Sequence, residues 1–182
     1  SNIDARLRHD LIHELRLALK ALSMSAIFVT HNKDEVFAFA DKVAVMHQGH
    51  ILQFGEPAKV FQEPKSFHVA DFLQLGSFVP VQSVLNNLAD TPIGSLEVSD
   101  TDDDASKNVA LVRGQYFSVE RAGITNAKVM QVSVMEQGFK LRLVVVEGEF
   151  EFEVTAFSDI SFQVDEQVKL TLLPHQAMLL SR

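Results

Sequence analysis

Apolar and polar positions in the first 75 residues follow two different periods. Leu7, Leu11, Leu15, Ala18, Leu19 and Leu22 recur at helical spacing between Asp4 and Ser23, predicting a helix with its apolar face in a core. Asp4 suits its N-cap. Ala26-Ile27-Phe28-Val29 is an unbroken apolar run, the pattern of a parallel strand covered on both faces. Thr30, His31 and Asn32 end that strand. Asp34 and Glu35 then favour a helix start by opposing its dipole, with the helix running to about Asp41. Val43–Met46 and Ile51–Phe54 flank His47-Gln48-Gly49-His50, which predicts a hairpin. Pro57 fits the first position of a short helix, and a last helix is expected over Ser66–Leu75.

After Gly76 the texture changes to short strands. They are expected at Phe78–Val84, Ser95–Val98, Val109–Val112, Lys128–Val134, Phe139–Val146, Glu149–Thr155 and Val168–Leu173. Gln137-Gly138 and Glu147-Gly148 read as turns. Phe150, Phe152 and Val154 alternate with Glu149, Glu151 and Glu153, giving one apolar and one charged face. Asp100–Lys107 reads as an acidic loop. The fold class expected is α/β followed by β: an α/β portion over residues 1–75, then a small barrel, OB-like, or a sandwich over 76–182.

Composition narrows the function classes. The chain has 182 residues, 47% of them hydrophobic, enough for a real core. It has no cysteine, which excludes disulfides and thiolate metal sites and fits a reducing compartment. No apolar run approaches the ~20 residues that cross a bilayer. A net charge of -8 makes nucleic acid and anionic lipid poor general partners. Basic residues are not interleaved with aromatics, as single-strand binding would require. Without cysteine or a Gly-x-Ser-x-Gly elbow, serine or cysteine hydrolase chemistry has no support.

His31 is the leading chemical candidate. It falls at the C-terminal end of a predicted parallel strand, the edge where open α/β sheets bind ligands. An imidazole there can donate to a phosphate oxygen or place a water; it can equally just cap the following helix. The surrounding residues weigh on that choice. Ser1-Asn2-Ile3-Asp4-Ala5-Arg6-Leu7-Arg8 resembles the D-loop of ABC ATPases and the start of the helix after it. Ala26–Asn32 with Asp34-Glu35 resembles the switch-histidine strand and loop. Ala40–Ile51, then Gly55-Glu56-Pro57 and Val60–Pro64, continue the resemblance in order over about 65 residues. Ile3 replaces the commoner leucine, and Asn32-Lys33 stands where Asp-Gln is common.

The resemblance is to ATP-binding subunits of ABC importers that carry a C-terminal regulatory domain. Phe78-Val79-Pro80-Val81 and Leu111–Val119 look most like the ferric-iron type, although Gly114 departs from the usual proline. The chain lacks an initiator methionine and opens inside the D-loop pattern, so it reads as the C-terminal fragment of such a subunit. The resemblance implies that His31 contacts the γ-phosphate and helps position the hydrolytic water. It implies that Ser1, Asn2 and Asp4 lie at the interface between two nucleotide-binding domains. In the parent it implies ATP and Mg²⁺, a homodimer, membrane permease subunits, an indirectly coupled solute-binding protein, and a peripheral place on the cytoplasmic face of the membrane.

Against this stands the sequence itself. It contains no Gly-x-x-x-x-Gly-Lys-Ser/Thr run to cradle phosphates, no Gly-rich signature loop, and no Asp-Glu pair ahead of Ser1. The fragment alone is therefore expected to be inactive and to need no cofactor. The alternative is a non-enzymatic regulatory or interaction module. A third reading, metal sensing, would use histidines or the acidic loop. His9 and His13 are four apart on a helix but read as solvent-facing, and the loop lacks the ligand alternation of a calcium site.

Overall fold

Most of the turn and strand signals find partners in the computed structural model, which describes residues 5–98, 107–121 and 123–182. The chain divides into two compact units, Ser1–Lys65 and Ser66–Arg182.

The first unit contains helix α1 (Ala5–Ala21), helix α2 (Lys33–Phe39), strands β1 (Val43–His47) and β2 (His50–Gly55), and helix α3 (Pro57–Gln62). The β1–β2 turn follows from Gln48 and Gly49, whose φ values of 47° and 80° are those of a two-residue hairpin. Pro57 opens α3 as expected, its missing N–H costing nothing there. Buried Gln53 ties the following segment to β2: its Nε2 donates to Glu63 O at 2.9 Å and its Oε1 accepts from Lys65 N at 2.9 Å.

Two expectations fail here. Ala26–Val29 forms no strand: residues 24–30 carry no regular structure, and Ile27 and Val29 are 97% and 90% exposed. A continuous apolar run becomes a strand only when neighbours complete its ladder and layers cover its faces. Among the described residues of this unit the only sheet is the antiparallel β1–β2 pair. The predicted apolar face of α1 is not core either. Leu7, Leu11, Leu15 and Leu22 are exposed, and the helix instead buries Ile12. Arg16 reaches the end of α2, donating to Ala38 O and pairing with Asp41 at 2.7 Å.

The second unit begins with helix α4 (Phe67–Phe72), capped by the Ser66 hydroxyl, which accepts from Val69 N. Strands β3 (Ser77–Pro80), β4 (Ser83–Leu85), β5 (Leu88–Thr91), β6 (Gly94–Val98) and β7 (Val109–Val112) follow. A 3-10 turn at Gly114–Tyr116 leads into β8 (Phe117–Glu120), β9 (Ala127–Met135), β10 (Gly138–Glu147), β11 (Phe150–Ser158), β12 (Gln167–Leu172) and β13 (Gln176–Leu180). One sheet has the order β3-β7-β13-β6-β5-β4, with β13 parallel to β6. The other, β11-β10-β9-β12-β8, curls so that its edges β11 and β8 approach each other. The observed class is thus mostly antiparallel β with a few short helices and a curled half-barrel.

Alternation places the core. Phe152, Val154 and Ala156 of β11 face Val145, Leu143 and Leu141 of β10 across the ladder. Together with Leu96, Val98, Val112, Val129, Val168 and Leu170 they form one continuous cluster. Each fully buried leucine is worth about 1.5–3 kcal/mol of transfer free energy. Asn126 extends the β9–β12 pairing with its side chain, donating from Nδ2 to Leu170 O at 3.0 Å and accepting at Oδ1 from Leu170 N at 2.8 Å. Ser77 Oγ accepts from Thr155 N at 2.8 Å, joining β3 to β11. Gly114 is dictated by space: a Cβ there would lie 2.9 Å from both the Phe157 ring and Thr155 O. The preceding Arg113 reaches the Leu75 carbonyl at 3.4 Å; partial burial pulls its guanidinium below its usual range.

Candidate functional site

His31 sits in the turn that enters α2, and its side chain is exposed. Its neighbours define the turn. Asn32 N donates to Thr30 Oγ1 at 3.0 Å, closing a side-chain turn around His31. Thr30 Oγ1 donates in turn to Glu35 Oε2, and Asn32 Nδ2 donates to Glu35 Oε1 at 3.4 Å. Glu35 is buried, so these hydrogen bonds offset the desolvation of its carboxylate. The arrangement holds residues 30–35 as one hydrogen-bonded unit and leaves the imidazole of His31 facing outward.

Thr30 and Glu35 are the residues that the pattern reading undervalued. Asp34 and Glu35 were both expected to act through the helix dipole, yet Glu35 works by hydrogen bonding. A signal for this exists in the sequence: Asn32 and Glu35 have the N-cap to N3 spacing of a capping box. Chemically, the exposed ring of His31 can donate to, or accept from, a group outside this unit. Ser1, Asn2 and Asp4 lie outside the described residues, as does the acidic segment 99–106.

Among the described residues no three His, Asp or Glu side chains converge to hold a metal ion. Among the described residues, the second unit has a shallow basin of about 660 Å³ along β4–β6 and β13. Asn86, Asn87, Asp90, Glu97 and Gln176 line it, and Ser95 Oγ donates to Asp90 at 3.3 Å. Its groups can accept hydrogen bonds from hydroxyls or ammonium groups. No helix of the described chain is long and apolar enough to cross a membrane.

No protein-family model matches the chain. Among curated proteins it is 27% identical over 149 residues to the Fe(3+) ions import ATP-binding protein of Haemophilus influenzae, a match covering 82% of this chain and 42% of the relative. A stretch of that length cannot avoid residues 34–149, so it runs through both units. The Fe(3+) ions import ATP-binding protein of Rhizobium etli is 37% identical over 84 residues, 46% of this chain and 24% of that protein. The spermidine/putrescine import ATP-binding protein of Fusobacterium nucleatum is 41% identical over 78 residues, 43% of this chain and 21% of that protein. The chain spans less than half the length of each of these relatives.

Proposed function

We propose that this chain, a homologue of the ATP-binding subunits of ABC importers, is part of a subunit that couples ATP hydrolysis to solute uptake. The observation that carries the reading is the 149-residue match to a ferric-iron importer subunit, which spans both units. Of the three relatives described above, two are named for Fe(3+) and one for spermidine and putrescine, which favours ferric iron as cargo.

In this reading His31 donates a hydrogen bond to the γ-phosphate and helps orient the attacking water. Phosphoryl transfer is mostly positioning and electrostatics, so one well-placed donor matters. The Thr30–Asn32–Glu35 unit would hold that donor at a fixed height above the start of α2. Ser1, Asn2 and Asp4 would line a D-loop at the interface between two subunits. Residues 76–182 would form an OB-like regulatory domain that meets its copy across a homodimer. The assembly would sit on the cytoplasmic face of the membrane against permease subunits and receive solute through a separate binding protein.

A second reading is favoured by one sequence fact, the lack of any phosphate-loop run in these 182 residues. Here the chain is a regulatory or interaction module with no ATPase activity of its own. The reading frame upstream of Ser1 separates the two. A Gly-rich phosphate loop, a signature loop and an Asp-Glu pair are expected there. With them present, His31→Ala in the whole subunit should lower kcat by about 100-fold or more, the scale of losing a transition-state donor. A frame that opens at Ser1 overturns the ATPase reading in favour of the module.

A further inference from the structure

The β1–β2 hairpin carries a histidine on each side of its two-residue turn. His47 ends β1, His50 begins β2, and they are directly opposite partners in the ladder. Both are exposed. Residues directly opposite in an antiparallel pair point to the same face, with Cβ atoms roughly 4.5–5.5 Å apart. That separation lets two imidazoles converge on one ion at the usual ~2.0–2.1 Å metal–nitrogen distance. The register is fixed by the turn: with Gln48 at φ 47° and Gly49 at φ 80°, the tight hairpin leaves the chain little freedom to slip. Just past the pair, the register shifts between Val45 and Met46, so the two histidines belong to a short, separately fixed end of the ladder.

We propose that His47 and His50 form a two-ligand chelate for a borderline divalent metal ion such as Zn²⁺, Ni²⁺ or Cu²⁺. Neutral imidazole suits these ions, whereas Mg²⁺ and Ca²⁺ require oxygen ligands. No third protein ligand converges among the described residues, so water completes the coordination. The site is accordingly open and exchangeable, of the kind that responds to metal level rather than holding a permanent structural ion. Binding would clip the two strands at their turn. The proposal stands apart from nucleotide chemistry and from His31.

The test is a titration of the whole chain with Ni²⁺, read at each histidine by NMR. All seven histidines (His9, His13, His31, His47, His50, His68 and His175) report in one spectrum. The expected result is paramagnetic broadening of His47 and His50 together, at lower Ni²⁺ than the rest, with Mg²⁺ at the same concentration causing none. His50→Ala should then raise the Ni²⁺ needed to broaden His47 by at least tenfold, and His47→Ala should do the same to His50. His13→Ala, which breaks the helical histidine pair, should leave both unchanged. The proposal is overturned if His47 and His50 broaden independently of one another, or if His9 and His13 take the metal first. Should His50→Ala disturb the hairpin, His50→Gln keeps the side-chain bulk while removing the ring, and the same tenfold loss is required of it.

Discussion

The two units place similar apolar side chains in opposite situations. In Ser66–Arg182 the leucines and valines of β9, β10, β11 and β12 alternate into a single closed cluster, and Leu141, Leu143 and Leu170 lose all contact with solvent. Among the described residues of Ser1–Lys65 the buried hydrophobics are Ile12, Val45 and Val60, while Leu11, Leu15, Leu22, Ile27 and Val29 face water. The difference does not lie in hydrophobicity. It lies in whether the elements needed to cover an apolar face are among the described residues. The second unit supplies both of its layers, whereas among the described residues of the first the apolar positions of α1 and of 26–29 stay exposed. Single exposed leucines are ordinary, but an apolar helix face and a neighbouring apolar run together are the mark of a surface built for contact.

Hydrogen exchange puts the comparison to its hardest test. Amides of β10 should open only with global unfolding, while those of residues 24–30 exchange almost freely, a contrast of about 1,000-fold or more. Equal protection in the two would mean that the first unit's apolar surface is covered in solution. Truncation mutants come next. Leu143→Ala should cost about 2–5 kcal/mol through the cavity it leaves. Leu15→Ala, at a side chain 48% exposed, should change stability by about 0.5 kcal/mol or less. The single tyrosine, Tyr116, lies in the second unit, and the chain has no tryptophan, so its fluorescence follows that unit alone. A large shift from Leu15→Ala would break the distinction.

The smallest expected effect is electrostatic. The Arg121 guanidinium, 2.6 Å from Glu166, and the Gln163 N–H hold the Glu166 carboxyl below its ordinary value. Its contribution is therefore fully present above the unfolded-state value, about 4.3, and is lost as pH falls through the lower folded value. Arg121→Ala should lower the denaturant midpoint modestly at pH 7, and the gap from the parent chain should close in acid. A gap that persists at pH 2 would assign the loss to Arg121's packing over the Phe162 ring instead.

Elements whose signals are local were legible in the sequence. Gly49, Pro57, Ser66 and the alternation of Phe150–Val154 each act over a few residues, and each produced the expected turn, helix start or strand. Strand boundaries shifted where one apolar run proved to be two: Phe78–Val84 divides into β3 and β4 around Val81-Gln82. Strand β5 was missed because it is only four residues long, and β13 because its partners β6 and β7 are distant in sequence. Ala26–Val29 failed for the complementary reason, a run that depends on partners not found among the described residues. At the site, the position of His31 before α2 could be read from Thr30-His31-Asn32 and the acidic residues that follow. The Asn32–Glu35 pairing was legible in its spacing, but the hydrogen bond from Thr30 to Glu35 was not, because it depends on how the turn folds back.

Gly114 and Phe157 are far apart in sequence yet occupy a single volume. A proline ring in the place of Gly114 would run into the Phe157 ring and Thr155 O. The aromatic at the position of Phe157 must then shrink or turn away. A larger residue at 114 is therefore expected to need a smaller or displaced side chain at 157. Grafting the commoner proline into this chain would therefore be a double replacement disguised as a single one.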